Sequence, residues 1–233
     1  TLSAVKEGLN QNSDGVEVDI RLTSDKEIVC HHDKSALRTT GLNKYIKEMS
    51  LKELRSLDCG GWFGENWKGE KIPKLEEILR ILPVDKDIFI EVKTKEEMVP
   101  YLLESIMVHG KDIDHITVIS FYPGVIKEIK KRAPEIKCNL LIAFDHQEVE
   151  VDAISVLANS INADGIGAQN HSQLNEEFVR LLKERKKSVH VWTVNSKNEA
   201  EEYLQMGVDS ITTNRPKYLR DHLELFQSKI MER

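Results

Sequence analysis

Gly15-Val-Glu-Val-Asp-Ile-Arg-Leu22 alternates aliphatic and charged residues along its length. As a strand it sets Val16, Val18, Ile20 and Leu22 on one side and Glu17, Asp19 and Arg21 on the other. The aliphatic side needs a packed layer against it. The charged side needs a different partner, because two carboxylates aimed the same way repel and lose hydration on burial. Arg21 is one candidate partner, which leaves a solvated face with a local ion pair, and a bound cation is the other. The residues of this strand alone leave both readings open.

Working outward, Thr23-Ser-Asp-Lys26 predicts a turn and residues 27–32 an extended run returning from it, so the acidic strand belongs to a hairpin. Upstream, Leu2, Val5 and Leu9 fall at helical spacing before a polar exit ending in Gly15. Ser50-Leu-Lys-Glu53 is a capping-box pattern opening a short helix with Leu51, Leu54 and Leu57 as its buried stripe. Residues 59–70 then break all periodicity with four glycines and three aromatics, which predicts an ordered loop covering something.

From residue 74 helical and extended segments alternate to the end. Strands are predicted over 87–93, 115–120, 137–143, 163–167, 188–194 and 209–213, with Ser196 and Glu199 capping the helix of Ala200, Tyr203 and Leu204, and Leu219, Leu223 and Phe226 marking the last helix. Sustained alternation calls for a parallel sheet with helices outside, either doubly wound or closed into a barrel. With the acidic strand the parallel count is seven, and a barrel needs eight. The missing strand is expected upstream of Thr1.

A chain of 233 residues suits one domain over 1–233, in which about 33–71 form an insertion and cover loop. A net charge of -6 argues against a nucleic-acid partner. Three scattered cysteines, Cys30, Cys59 and Cys138, disfavour a disulfide framework or a zinc site, and a reducing, cytoplasmic compartment is expected. Secretion stays open, because Thr1 does not look like a natural start. No apolar run reaches the length of a membrane span, so stable membrane insertion is not expected.

In barrels the working residues sit at the carboxyl ends of the strands. Those ends here carry Glu17 and Asp19, then His31-His32-Asp33, then Glu91-Val-Lys93. With Leu37-Arg-Thr-Thr40, Ile72-Pro-Lys-Leu-Glu-Glu77, Ser120-Phe121, Trp192-Thr-Val-Asn195 and Asp209-Ser-Ile-Thr-Thr-Asn-Arg-Pro216, this ordered set resembles the glycerophosphodiester phosphodiesterases over nearly the whole chain.

The resemblance implies a (β/α)8 TIM-type barrel with a small hairpin and loop insertion after its second strand. It matches Glu17, Asp19 and Glu91 to the positions that bind one divalent cation, and their all-oxygen character suits Ca²⁺ or Mg²⁺. His32 matches a catalytic histidine acting as general acid or base. Strand alternation turns His31 and His32 opposite ways, and the match to the family's His-Asp picks His32. Lys93 matches a phosphate-contacting lysine; three nearby carboxylates would hold its amine protonated and unfit for Schiff-base chemistry. Phe121 and Trp192 lie at strand ends where they either wall the substrate or fill the core. His109, His115, His146, His171, His190 and His222 fit no ligand spacing and read as structural.

The implied activity is metal-dependent hydrolysis of a small glycerophosphodiester to glycerol phosphate and an alcohol. The rivals are the same chemistry on lysophospholipids, and a catalytically silent barrel binding a phosphorylated ligand or a protein. Two departures stand out. The family opens with a strand ending in His-Arg-Gly and then Pro-Glu-Asn-Thr, whose threonine aligns with Thr1, so the first catalytic histidine and a phosphate-binding arginine are expected upstream. Asn214 stands where many members carry aspartate.

Overall fold

A computed structural model describes residues 1–109, 112–145 and 149–231, with side chains to residue 224. His146 and the side chain of Phe226 lie outside the described residues. Helix α1 (Leu2–Asn10) opens on Thr1, whose hydroxyl accepts from the Ala4 amide. The acidic strand β1 (Gly15–Leu22) turns back into β2 (Ile28–Cys30), antiparallel with Ile20 opposite Cys30, which is the predicted hairpin.

Six further strands follow: β3 (Asp87–Val92), β4 (Ile116–Ser120), β5 (Lys137–Ile142), β6 (Gly165–Gln169), β7 (Ser188–Trp192) and β8 (Ser210–Ile211). All six run parallel to β1, in the order β2-β1-β3-β4-β5-β6-β7-β8. Their aliphatic side, with Val18, Ile20, Ile90 and Val118 almost fully buried, packs in one core with Leu75, Leu79, Leu102, Ile126, Val179 and Leu182 of the helices. A helix layer on one face forces the opposite face inward only if the sheet curls, and it does. Phe89 on β3 and His190 on β7 are four strands apart, roughly 19 Å in a flat sheet at ~4.8 Å per strand. Their rings stack at 4.6 Å. The sheet is therefore rolled, and the register puts Glu17, Phe89, Glu91, Asn139, Gly167 and His190 on its inner face.

The interior is filled by side chains on some strands and emptied on others. Gly165 faces the Ser188 hydroxyl and the Asn139 amide oxygen, which lie 3.3 Å apart, and a Cβ at residue 165 would sit 1.9 Å from that hydroxyl and 2.5 Å from the Ser188 carbonyl. Gly165→Ala is expected to destabilise the fold by about 1–3 kcal/mol, read as a lower urea midpoint with unchanged slope.

Among the described residues seven strands run parallel, as counted, and none pairs β8 with β1. A cavity beside β1 is lined by Glu17, Asp19, Phe89 and Thr212. On the other side of β1 the insertion builds α2 (Leu37–Thr40) and α3 (Leu51–Ser56) around a second small core of Val29, Ala36, Ile46, Met49, Leu54, Cys59 and Ile72. The capping box is present: the Ser50 hydroxyl accepts from the Glu53 amide and the Glu53 carboxylate from the Ser50 amide at 2.7 Å. No described helix is long and apolar enough to cross a membrane.

Two local expectations are corrected. The last strand is Ser210–Ile211 rather than 209–213, although the flanking Asp209 and Thr212 amides still donate to the Val189 and Val191 carbonyls at 2.8 and 2.9 Å. Ser196 precedes its helix but its hydroxyl makes no cap bond, while the Glu199 carboxylate accepts from Asn170 at 3.1 Å.

Candidate active site

β1 and β3 are neighbours in register, with Glu17 opposite Phe89 and Asp19 opposite Glu91. Period-two alternation therefore brings three carboxylates together on the inner face. One oxygen from each lies within 4.8 Å of the others. Lys93, two residues past Glu91, places its ammonium 2.7 Å from Glu91 Oε1 and 3.1 Å from Asp19 Oδ1. Glu17 Oε1 is buried with no hydrogen-bond partner.

The electrostatics follow from that count of one cation against three carboxylates. Burial first, then Asp19 and Glu91, pushes the Glu17 carboxyl well above its ordinary range. Burial raises Glu91 as well, against the opposing pull of Lys93. Burial works against the charge on Lys93, but Asp19 and Glu91 outweigh it and its pKa rises. The cluster is short of positive charge and has an oxygen without a donor. A divalent cation ligated by these three oxygens meets both needs, so the donor set fits one.

Arg21 does not pair with the carboxylates, although it shares their face. Its guanidinium donates to the His32 carbonyl at 2.6 and 3.1 Å and to the Lys93 carbonyl at 3.4 Å. It ties together the two backbone segments that carry His32 and Lys93. The planar fork suits two fixed carbonyls, while the compact ammonium of Lys93 fits between carboxylates.

β2 ends at Cys30, so His31 and His32 diverge in the loop after it rather than by strand alternation. His31 is buried, with Nε2 3.1 Å from the Ser35 carbonyl, and burial lowers its pKa. The His32 side chain is exposed, lines the same cavity as Glu17 and Asp19, and holds Nδ1 2.8 Å from Asp33 Oδ1. Arg38 Nε donates to the other Asp33 oxygen at 2.6 Å, and this bond holds the Asp33 carboxyl down at about 2. An ionised carboxylate at Nδ1 keeps the proton there and leaves the Nε2 lone pair free. The sequence reading missed this Asp33–Arg38 pair. Both residues stand in the quoted motifs, and an acid directly after the histidine matched by the resemblance was the available signal.

Phe121 and Trp192, at the ends of β4 and β7, meet edge to face at 5.6 Å. Trp192 donates its indole N–H to the Gly167 carbonyl at 3.0 Å, and Phe121 stays substantially exposed beside it. His190 is buried, its ring nitrogens 2.8 and 2.9 Å from the Ser210 and Thr212 hydroxyls, and burial lowers its pKa to about 4. His109, His115 and His222 each face a carboxylate, of Glu76, Asp87 and Glu201, and His171 stacks on Phe144.

Known proteins are similar to this chain in sequence and in fold. The chain is 30% identical over 225 residues to a glycerophosphodiester phosphodiesterase of Caldanaerobacter subterraneus, covering 94% of this chain and 89% of the relative. A glycerophosphodiester phosphodiesterase of Bacillus altitudinis is 27% identical, over 93% and 89%. Among solved structures, an Oleispira antarctica phosphodiesterase in complex with the product sn-glycerol-3-phosphate superposes with a TM-score of 0.86 at 24% identity, covering 96% of this chain and 90% of that one. Residues 1–218 match the description of one family. With β1, β3 and the rolled parallel sheet in that match, the chain belongs to the glycerophosphoryl diester phosphodiesterase family.

Proposed function

We propose that this chain hydrolyses small glycerophosphodiesters to glycerol phosphate and an alcohol, with Ca²⁺ or Mg²⁺ held by Glu17, Asp19 and Glu91. The observation that carries the reading is the Glu17 oxygen buried without a partner inside a three-carboxylate cluster. The named activity of the relative at 30% identity supports it.

When bound, the cation offsets negative charge on the phosphoryl oxygens. Lys93 contributes a second positive charge at the same oxygens, and Glu91 and Asp19 keep its amine protonated for that purpose. As base, His32 Nε2 takes the proton of the attacking hydroxyl or water; as acid, it gives one to the departing alcohol; in either role Asp33 stabilises the imidazolium. Phe121 and Trp192 form a wall that shields the reacting phosphate from water.

The test is hydrolysis of glycerophosphocholine by the full-length protein in EDTA, Ca²⁺ and Mg²⁺. Turnover is expected to fall to background in chelator and to return with one of the cations. Turnover that persists in chelator overturns the metal assignment. A second reading, an alcohol with an acyl chain as in a lysophospholipid, is favoured by Phe63, which is 71% exposed next to Trp67. A higher kcat/KM for lysophosphatidylcholine than for glycerophosphocholine would select it.

A further inference from the structure

We infer that Trp62, in the glycine-rich loop of the insertion, is a positioning residue for His32 and acts through Arg38 and Asp33. The inference rests on the proposed role of His32. Its basis is a chain of contacts across the insertion: the Trp62 ring lies 5.0 Å from the Arg38 guanidinium carbon, Arg38 Nε 2.6 Å from Asp33 Oδ2, and Asp33 Oδ1 2.8 Å from His32 Nδ1.

Each link needs the one before it. Arg38 sits on the four-residue helix α2, which has no side-chain N-cap, and half of its side chain is exposed. A long side chain so placed samples many rotamers, and an aromatic face that fixes the guanidinium plane removes most of them. The planar fork then aims at Asp33, and Asp33 in turn aims its second oxygen at the imidazole.

Trp62 is itself well held. Its indole N–H donates to the Cys59 carbonyl at 3.0 Å, and the Phe63 ring meets it edge to face at 5.7 Å. The Asp58 carboxylate accepts from the Gly60 and Gly61 amides at 2.9 and 3.0 Å. Gly60 is required where it stands, since a Cβ there would sit 1.9 Å from the Trp67 carbonyl oxygen. Yet Trp62 is 52% exposed, so burial is not what this construction achieves. It delivers one rigid ring to one guanidinium.

The experiment uses the full-length protein with glycerophosphocholine and saturating cation. Trp62→Leu is expected to lower kcat about fivefold, which converts to about 1 kcal/mol, the size of an exposed cation–π contact. KM should stay within about twofold, because the interaction lost is felt in the transition state. Trp62→Phe should recover most of the rate. Trp62→Leu combined with Arg38→Gln should be no slower than Arg38→Gln alone. In imidazole ¹⁵N spectra, His32 should carry its proton on Nδ1 in the parent protein and show a mixed tautomer in Trp62→Leu.

A raised KM with kcat intact, or additive losses in the double variant, overturns the inference in favour of direct substrate contact by Trp62. If His32→Gln turns over at the parental rate, the proposed role of His32 falls and this inference with it. If His32→Gln is inactive while Trp62→Leu keeps both kcat and the tautomer, the positioning role alone is lost.

Discussion

Glutamine in place of Glu17 is expected to remove activity and, in the same molecule, to make the cation-free protein more stable. Glu17 has a buried oxygen without a partner and two other carboxylates close by. The amide keeps the shape and removes the charge. Loss of one anionic ligand should lower kcat/KM by about a thousandfold, comparable to deleting a charged transition-state partner, with weaker Ca²⁺ or Mg²⁺ binding by calorimetry.

The stability gain depends on pH, with a definite sign. The Glu17 carboxyl is raised in the folded state, so it binds its proton more tightly there than in the unfolded chain, where its value is near 4.5. Its contribution to folding is fully present below about 4.5 and is lost as pH rises through the folded value. In chelator at pH 7, Glu17→Gln should therefore melt higher than the parent, by about 2–4 °C for each kcal/mol of repulsion relieved. At pH 4 the two should melt together. Saturating cation should reverse the order at pH 7, because only the parent gains binding energy on folding. Equal melting at pH 7 in chelator would show that the carboxylates are compensated by something other than a cation.

Asp33→Asn should cost nearly as much rate as His32→Ala while leaving cation affinity intact. His32→Ala deletes the proton carrier, a loss of about 10²–10⁴-fold in kcat. Asparagine keeps the size of Asp33 but presents an amide to Nδ1 and favours the tautomer with the proton on Nε2. The same exchange in serine proteases costs about 10⁴-fold. Neither residue contacts the three carboxylates, so calorimetric cation binding should match the parent. A variant that loses both rate and cation would place Asp33 in the metal site instead. The Asp33 carboxyl is lowered to about 2, so its contribution to stability is present above its unfolded value near 3.8 and disappears as pH falls through about 2.

The carboxylate cluster was legible because a strand has a period of two. Glu17 and Asp19 share a face from spacing alone, and a parallel neighbour in register supplies Glu91 beside Asp19. The hairpin was legible from the turn at residues 23–26, and the count of parallel strands from the alternation of extended and helical segments. The choice of partner was not: Arg21 stands at the same spacing as Asp19, and only the three-dimensional course of the loop after β2 brings the His32 carbonyl to its guanidinium. Lys93, read as a phosphate contact, lies between Asp19 and Glu91, a position set by the pairing of β1 with β3. The Asp33–Arg38 pair depends on a single turn of helix after Ala36, too short for any periodic signal. The helix Lys197–Met206 shows the converse, where Ser196 and Glu199 have the capping spacing but Asn170 draws the glutamate away.

The second small core of the insertion separates two kinds of change. Of its seven residues only Val29, on the outermost strand β2, belongs to the barrel sheet, and the Ser24 amide just past β1 donates to the Met49 carbonyl at 2.9 Å. The packing beneath the carboxylates and the packing of the second core are largely separate, but His32, Asp33 and Arg38 stand on the side of the second core, so a change there can reach the imidazole. The Trp62–Arg38 contact lies on that route, which makes it a place where a new preference would be felt as a change in rate.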